Sequence, residues 1–274
     1  MRHAGDRTTF RWIAAGVLAV AVVAAFRGAE FDAGVLFGAR AREAGGRFLA
    51  DCWPPRTDPA FLALLAGRTV DTIAIAVLGT LLALAIGLPL GALASRNVVY
   101  GAGFASGEAS PSVAARGLWL AARAVSAAFR SVPDVVWALL FVKAVGLGPL
   151  PAIAALGVAY GGLIGKVFSE QIEDVAARPV AALESVGAGR AAALTWGMLP
   201  QAFGAMTAYT VYRFECAVRA SVLMGFVGAG GLGYELQVSF GDYLFGEVLT
   251  ETAFLVAIVG VIEWGGDALR RRTA

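Results

Sequence analysis

Arg130, Arg213 and Arg219 sit inside long apolar stretches of this chain. Ionisable residues in such surroundings are costly, and they face a cavity or a partner. The planar guanidinium fork matches the oxygens of an oxyanion, so a route for an anion is one chemistry open to them. Glu215 precedes Arg219 by four residues, and the two can pair on one helix face. That leaves a structural ion pair bracing a bundle as the other reading. Arg213 suits either a membrane edge or a contact between copies. Arg130 stands beside Pro133 and is the preferred residue for a route.

Gly228, Gly230, Gly231 and Gly233 fit the pattern G-x-G-x-x-G. As a dinucleotide fingerprint this pattern needs a strand before it and a helix after it in a βαβ unit, and neither context is present. A glycine run at the outer end of an apolar span lets backbones pack closely or bend, as an outer gate requires. The chain has no G-x-x-x-x-G-K-[ST], no H-E-x-x-H and no G-x-S-x-G. Its one histidine, His3, lies in the N-terminal tail, so a histidine-based metal site is not expected, and no cofactor is. Cys52 and Cys216 form no Cys-x-x-Cys, and a disulfide between them is not expected. Glu170, Glu173 and Asp174 form the densest acidic group and read as the solvated start of a loop.

The elements that hold these residues are membrane spans. The 274 residues are 58% hydrophobic with mean hydropathy +0.72. Charged residues make up 15%, against about 25% in an ordinary soluble domain. Six segments are long and apolar enough to cross a bilayer, at roughly 10–27, 70–95, 118–146, 150–168, 200–222 and 249–268. The first follows Arg2, Arg7 and Arg11 as a signal peptide would, but it reads as an uncleaved span. Pro133 is expected to bend the third span by removing a backbone donor. With an even number of spans, both termini lie on one side. Arg2, Arg7, Arg11, Arg96, Arg116, Lys166, Arg178, Arg190, Arg270, Arg271 and Arg272 then lie inside. Arg27, Arg40, Arg42, Arg47, Arg56 and Arg68 lie outside, so the balance favours cytoplasmic N- and C-termini.

The outer segment 28–69 mixes Phe31, Val35, Leu36, Phe48 and Leu49 with charges, among them Glu30, Asp32, Glu43, Asp51 and Asp58. It is expected to hold a short helix lying on the membrane face, broken by Trp53-Pro54-Pro55. The stretch 97–115 reads as a Gly-, Ser- and Ala-rich inside loop. Residues 1–69 therefore form an N-terminal span with an external amphipathic segment. Residues 70–274 form the core of an all-α, polytopic bundle.

Within the inside loop 169–199, Ala181, Ala182, Leu183, Glu184 and Ser185 are good helix material, with Pro179 in a first-turn position. Gly187 fits a left-handed helix end, followed by Ala188. Leu199-Pro200 then opens the next span. So short an exposed helix is marginal alone and is reasonable if a partner receives it.

Helix, glycine, then Leu-Pro at the foot of a span resembles the EAA loop of ABC importer permeases. The downstream residues Pro200-Gln201, Tyr212-Arg213-Phe214-Glu215, Val218-Arg219 and Gly225 to Gly233 resemble the permease subunit of phosphonate-type ABC importers. So do Ser95-Arg96-Asn97, Arg130 to Asp134, Trp137 to Val142, Gly146 to Pro149 and Gly165 to Glu170 upstream. The resemblance covers about 70–274. Methionine-type permeases share the glycine-rich segment, and the Arg-Phe-Glu element favours the phosphonate type.

The resemblance implies a type I importer fold of the methionine-permease kind in a bacterial inner membrane. It also implies a second permease (identical or related), two cytoplasmic ATPases, an external binding protein and a lipid surround, with no nucleic acid. The cargo would be phosphonate, phosphite or phosphate. Ala181 to Ser185, Gly187, Ala188, Arg190, Leu199 and Pro200 would meet the ATPase, with Glu184 and Arg190 as its polar contacts. The chain departs from the pattern in two places. Ala181 stands where the loop's name-giving glutamate belongs, and Gly197 where isoleucine is common. Rival readings are a methionine or quaternary-amine importer, a membrane enzyme acting on a phosphorylated lipid, and a structural subunit without transport.

Overall fold

A computed structural model of the chain describes residues 4–29, 34, 37–101 and 111–273. His3, Phe31, Val35 and Leu36, with Arg2, Glu30, Asp32 and residues 102–110 of the Gly/Ser/Ala loop, lie outside the described residues. Described elements are helical throughout, and the chain divides into two units, Met1–Trp53 and Pro54–Ala274.

In the first unit, α1 (Ala4–Gly28) is apolar from Trp12 to Phe26, and its stretch Arg11–Gly28 is long and apolar enough to cross a membrane. Helix α2 (Ala39–Asp51) is amphipathic, as expected of a surface helix. Its Arg47 pairs with Glu43 one turn away at 2.5 Å, while Phe48 and Leu49 stay exposed.

The second unit starts with α3 (Pro59–Ala94), eleven residues before the expected 70. The reason is a start signal. Asp58 accepts the Phe61 amide at 3.1 Å, and Pro59 at the first position has no donor to lose. Arg56 binds Asp58 at 2.5 Å and Glu247 at 2.7 Å. Its hydrogen bond holds the Asp58 carboxyl below the usual carboxylate range.

A short helix, α4 (Arg96–Tyr100), follows. The expected third span is two helices, α5 (Val113–Ser131) and α6 (Asp134–Val145), meeting at 88°. Pro133 does more than bend this span. It ends α5 and stands as the N-cap of α6, because residue 132 is forced into extended backbone before a proline.

Next come α7 (Pro149–Glu173) and the small α8 (Ala177–Ser185). A turn at Arg190–Ala192 runs through a π-helical stretch, Ala193–Met198, into α9 (Leu199–Met224). Pro200 lacks the amide that would close onto the fourth residue back, and the wider winding just before it accommodates the gap. A kink at Gly225–Ala229, where Val227 and Gly228 leave helical backbone, leads into α10 (Gly231–Gly241), bent by 59°, and α11 (Phe245–Thr273) follows. Among the described residues four helices are long and apolar enough to span. The two bent pairs bring the number to six, in keeping with the sequence.

The core is the contact between α3 and α7, where glycines on each helix receive large side chains from the other. Gly79 faces Leu156, Gly87 faces Ile164 and Gly91 faces Phe168. In return Gly157 faces Leu82, Gly161 faces Ile86 and Gly165 faces Leu90. A methyl group at these positions would sit 2.5–3.0 Å from its neighbour, so the backbones pack as closely as glycine permits. Helix α5 joins by the same device. Gly162 lies under the Ser126 carbonyl, and the Ser126 hydroxyl donates to the Gly162 carbonyl at 2.6 Å.

Gly157→Ala should destabilise the purified chain by about 1–3 kcal/mol through overpacking against Leu82. Adding Leu82→Ala should recover part of that loss. Thermal unfolding in detergent measures both, and a strictly additive double variant would contradict the interlock.

Candidate functional site

Helix α8 stands at one end of the second unit, between the C-terminal end of α7 and the start of α9. Val180 and Leu183 turn inward. Val180 is buried in a small cluster with Ile172, Ala193 and Met198, on the turn that leads into α9. Gly197, the departure from the common isoleucine, sits under this helix. A methyl group there would come within 3.1 Å of Leu183 and 3.5 Å of Val180. The absent side chain lets α8 lie close.

The helix ends in a Schellman motif. Gly187 has φ +86°, its amide donates to the Glu184 carbonyl at 2.9 Å, and the Ala188 amide donates to Leu183 at 3.1 Å. Ala181, Ala182, Ser185, Val186 and Gly187 face outward, and Trp196 projects nearby at 78% exposure. The result is a short helix on a firm apolar footing with its outer face clear.

Arg190 donates to the Val99 carbonyl at 3.0 Å, tying the loop to α4. Glu173 holds the same junction from α7. It accepts the Arg96 amide at 2.7 Å and lies 3.8 Å from Arg123. Glu170 pairs with Lys166, and Asp174 is exposed, so the acidic group is structural or solvated. Leu199 is half-buried and Pro200 is exposed at the helix start.

The glycine-rich segment lies at the opposite end, where α9 turns into α10. Gly228, Gly230 and Gly231 all have positive φ. The Gly228 carbonyl accepts from the Gly148 amide at 3.0 Å. The Leu232 amide donates to the Thr72 hydroxyl at 2.9 Å, which donates in turn to the Arg68 carbonyl. A methyl group at Gly233 would overlap the Val222 carbonyl oxygen. The segment is therefore stapled to α3 and to the start of α7. It borders a cavity of about 570 Å³ whose polar wall is Arg68, Asp71 and Tyr234. Arg68 binds Glu235 at 2.7 Å. Arg68, Thr72 and Glu235 escape sequence reasoning because each acquires its role from a partner more than 150 residues away.

Glu215 and Arg219 do not pair with each other, contrary to what their spacing allows. Both turn to α11. Glu215, buried, binds Arg270 at 2.8 Å, and Gly266 makes room for its carboxylate. Arg219 binds Glu263. They brace α9 against α11. Arg213 is different. It stacks among three tyrosines and meets no carboxylate among the described residues. Arg130, exposed at the end of α5, likewise has no carboxylate among the described residues.

These features define a polytopic helical membrane protein with a presented surface helix at one end and a stapled glycine turn at the other. The family model described as "Binding-protein-dependent transport system inner membrane component" matches residues 109–273, and the chain belongs to that family. It is 38% identical over 219 residues to the "Phosphate-import permease protein PhnE" of Mycolicibacterium smegmatis, covering 80% of this chain and 38% of that protein. It is 35% identical to the "Phosphite transport system permease protein PtxC" of Stutzerimonas stutzeri, covering 74% of this chain and 68% of the relative. An inward-facing MetNI methionine ABC transporter structure shares the fold, with TM-score 0.65 and 23% identity over 80% of this chain and all of that one.

Gly187→Ala should cost about 1–2 kcal/mol at the helix end, because a side chain disfavours positive φ. Hydrogen exchange should show faster amide exchange at Gly187 and Ala188, with the α3 and α7 amides unchanged.

Proposed function

We propose that the chain is the membrane-spanning permease subunit of an ATP-driven importer, and that its cargo is a phosphorus oxyanion: phosphonate, phosphite or phosphate. The observation that carries the reading is α8. It is anchored by Val180, capped by Gly187 and held out at the end of the bundle, where a motor protein could grip it. The class of cargo is supported by relatives named for phosphate and phosphite transport.

On this reading two permeases, identical or related, work with two cytoplasmic ATPases and an external binding protein in a bacterial inner membrane. Both termini lie in the cytoplasm, which puts α8 on the ATPase side and the glycine segment at the outer mouth. Closure of the ATPases on ATP pulls α8. The pull passes through Val180 and Met198 into α9, and through Glu173 into α4 and α5. Spans tilting as rigid bodies then open the route alternately to each side. The chain itself does no covalent chemistry and needs no cofactor.

The test is ATP hydrolysis by this chain with its ATPase and binding protein in proteoliposomes, offered phosphonate, phosphite, phosphate and methionine. Stimulation by a phosphorus oxyanion is expected. Stimulation by methionine alone would overturn the cargo assignment. Ala182→Glu, on the clear face of α8, should leave the permease folded yet remove stimulation by loaded binding protein. Full stimulation in that variant would move the motor contact elsewhere.

A further inference from the structure

The glycine turn and α8 mark the two ends of α7 and α9, and Arg213 and Tyr160 lie near the middle of these helices. Tyr160 is eleven residues from the start of α7, and Arg213 is eleven from the end of α9. At about 1.5 Å per residue that places both some 16 Å from the glycine end, about half a bilayer deep. The guanidinium carbon of Arg213 lies 5.0 Å from the ring of Tyr209, 5.2 Å from Tyr212 and 5.6 Å from Tyr160. Its Nε donates to the Tyr209 hydroxyl at 2.8 Å.

Three aromatic faces stabilise the cation without neutralising it. Two other arginines of the spans are spent differently. Arg219 and Arg270 each hold a carboxylate. Among the described residues Arg213 has none, so the two terminal NH₂ groups of its fork meet no carboxylate. Tyr212 is 44% exposed, so the cradle opens on the surface of this chain. A charge facing lipid at that depth is costly, which points the opening toward a water-filled route or a second permease.

We propose that Arg213, held by Tyr160, Tyr209 and Tyr212, is the transit subsite for the anion. The Nη groups form a bidentate contact with two oxygens of a phosphorus oxyanion, and the Tyr209 hydroxyl, accepting from Nε, keeps its own proton to donate. The inference rests on the oxyanion-importer reading and deepens it. Rings grip the cation less tightly than a carboxylate does, so the anion need not compete with an internal counter-ion and can leave again.

The experiment is uptake of ³²P-labelled phosphate and phosphite by proteoliposomes holding the whole complex, with ATP turnover and thermal midpoint measured alongside. Arg213→Lys keeps the charge and the ring contacts but loses the fork. Uptake should fall by about tenfold or more, as for a lost charge-assisted contact, while assembly and the thermal midpoint stay as in the parent. Tyr209→Phe should lower uptake less and in the same direction. Parental uptake in both variants would make Arg213 a brace for the aromatic cluster and overturn the proposal. If Arg213→Lys fails to assemble, Tyr209→Phe decides on the same criterion. Uptake by the parent with no effect of either variant removes this inference alone. No uptake of any oxyanion by the parent removes the importer reading and the inference with it.

Discussion

The structure depends on the interlock of α3 with α7. In hydrocarbon no hydrophobic drive brings helices together, because lipid tails solvate leucine as well as another helix does. What remains is dispersion, which falls off within an ångström of the optimum. Glycines at 79, 87 and 91 on one helix and at 157, 161 and 165 on the other let large side chains seat against bare backbone along the whole contact. Everything functional hangs from this pair. Helix α3 carries Thr72, which staples the glycine turn, and Arg68, which fastens α10. Helix α7 carries Tyr160 midway and Glu173 at its end, beside the root of α8.

Two kinds of joint surround this spine. The α9–α11 contact is made by ion pairs, Glu215 with Arg270 and Arg219 with Glu263. Glu215 is buried, so breaking its pair strands a charge, whereas the Arg219–Glu263 pair is half-exposed. The turns that bracket α9 are different: a π-helical stretch, Ala193–Met198, stands before it, and a kink with Gly228 at φ +91° follows it. Both depart from regular α-helical winding, the first in a form often found at functional sites. Helix α9 thus runs between an irregular turn at each end. One lies beside Val180 and α8, and the other beside the stapled glycines.

Much of this is legible in the sequence, for reasons that separate local from distant causes. The spans follow from hydropathy, and the Gly187 helix end follows from one residue's freedom at positive φ. Both are local. Asp58-Pro59 was also a local start signal, but it was masked by the charged residues Arg56 and Arg68 around it, and α3 begins eleven residues earlier than hydropathy alone places it. Pro133 in the sequence points to a bend. The full 88° turn needs α6 to find its own place against α7, which no local pattern shows. The Glu215–Arg219 spacing allowed a pair on one face. The partners it obtained, Arg270 and Glu263, stand 55 and 44 residues downstream, and a helix surface offers several candidates for each charge.

The same distinction sorts the charges by what they can do. An arginine braced by a carboxylate has much of its field cancelled and its donors engaged, and it serves to hold the bundle together. Arg219 and Arg270 are of this kind, and so near the start of α3 are Arg56 and Arg68. An arginine held by ring faces retains its field, because the quadrupole of a tyrosine stabilises a cation without a formal charge. A carrier that receives its cargo from an external binding protein has no use for a tight internal site, since each kcal/mol of binding there must be undone before release. What it does need is a fixed positive potential at mid-depth, strong enough to offset the cost of desolvating an anion and weak enough to let it go. An arginine among three tyrosines, halfway between a stapled turn and a presented helix, meets both conditions; an arginine locked to a glutamate meets neither.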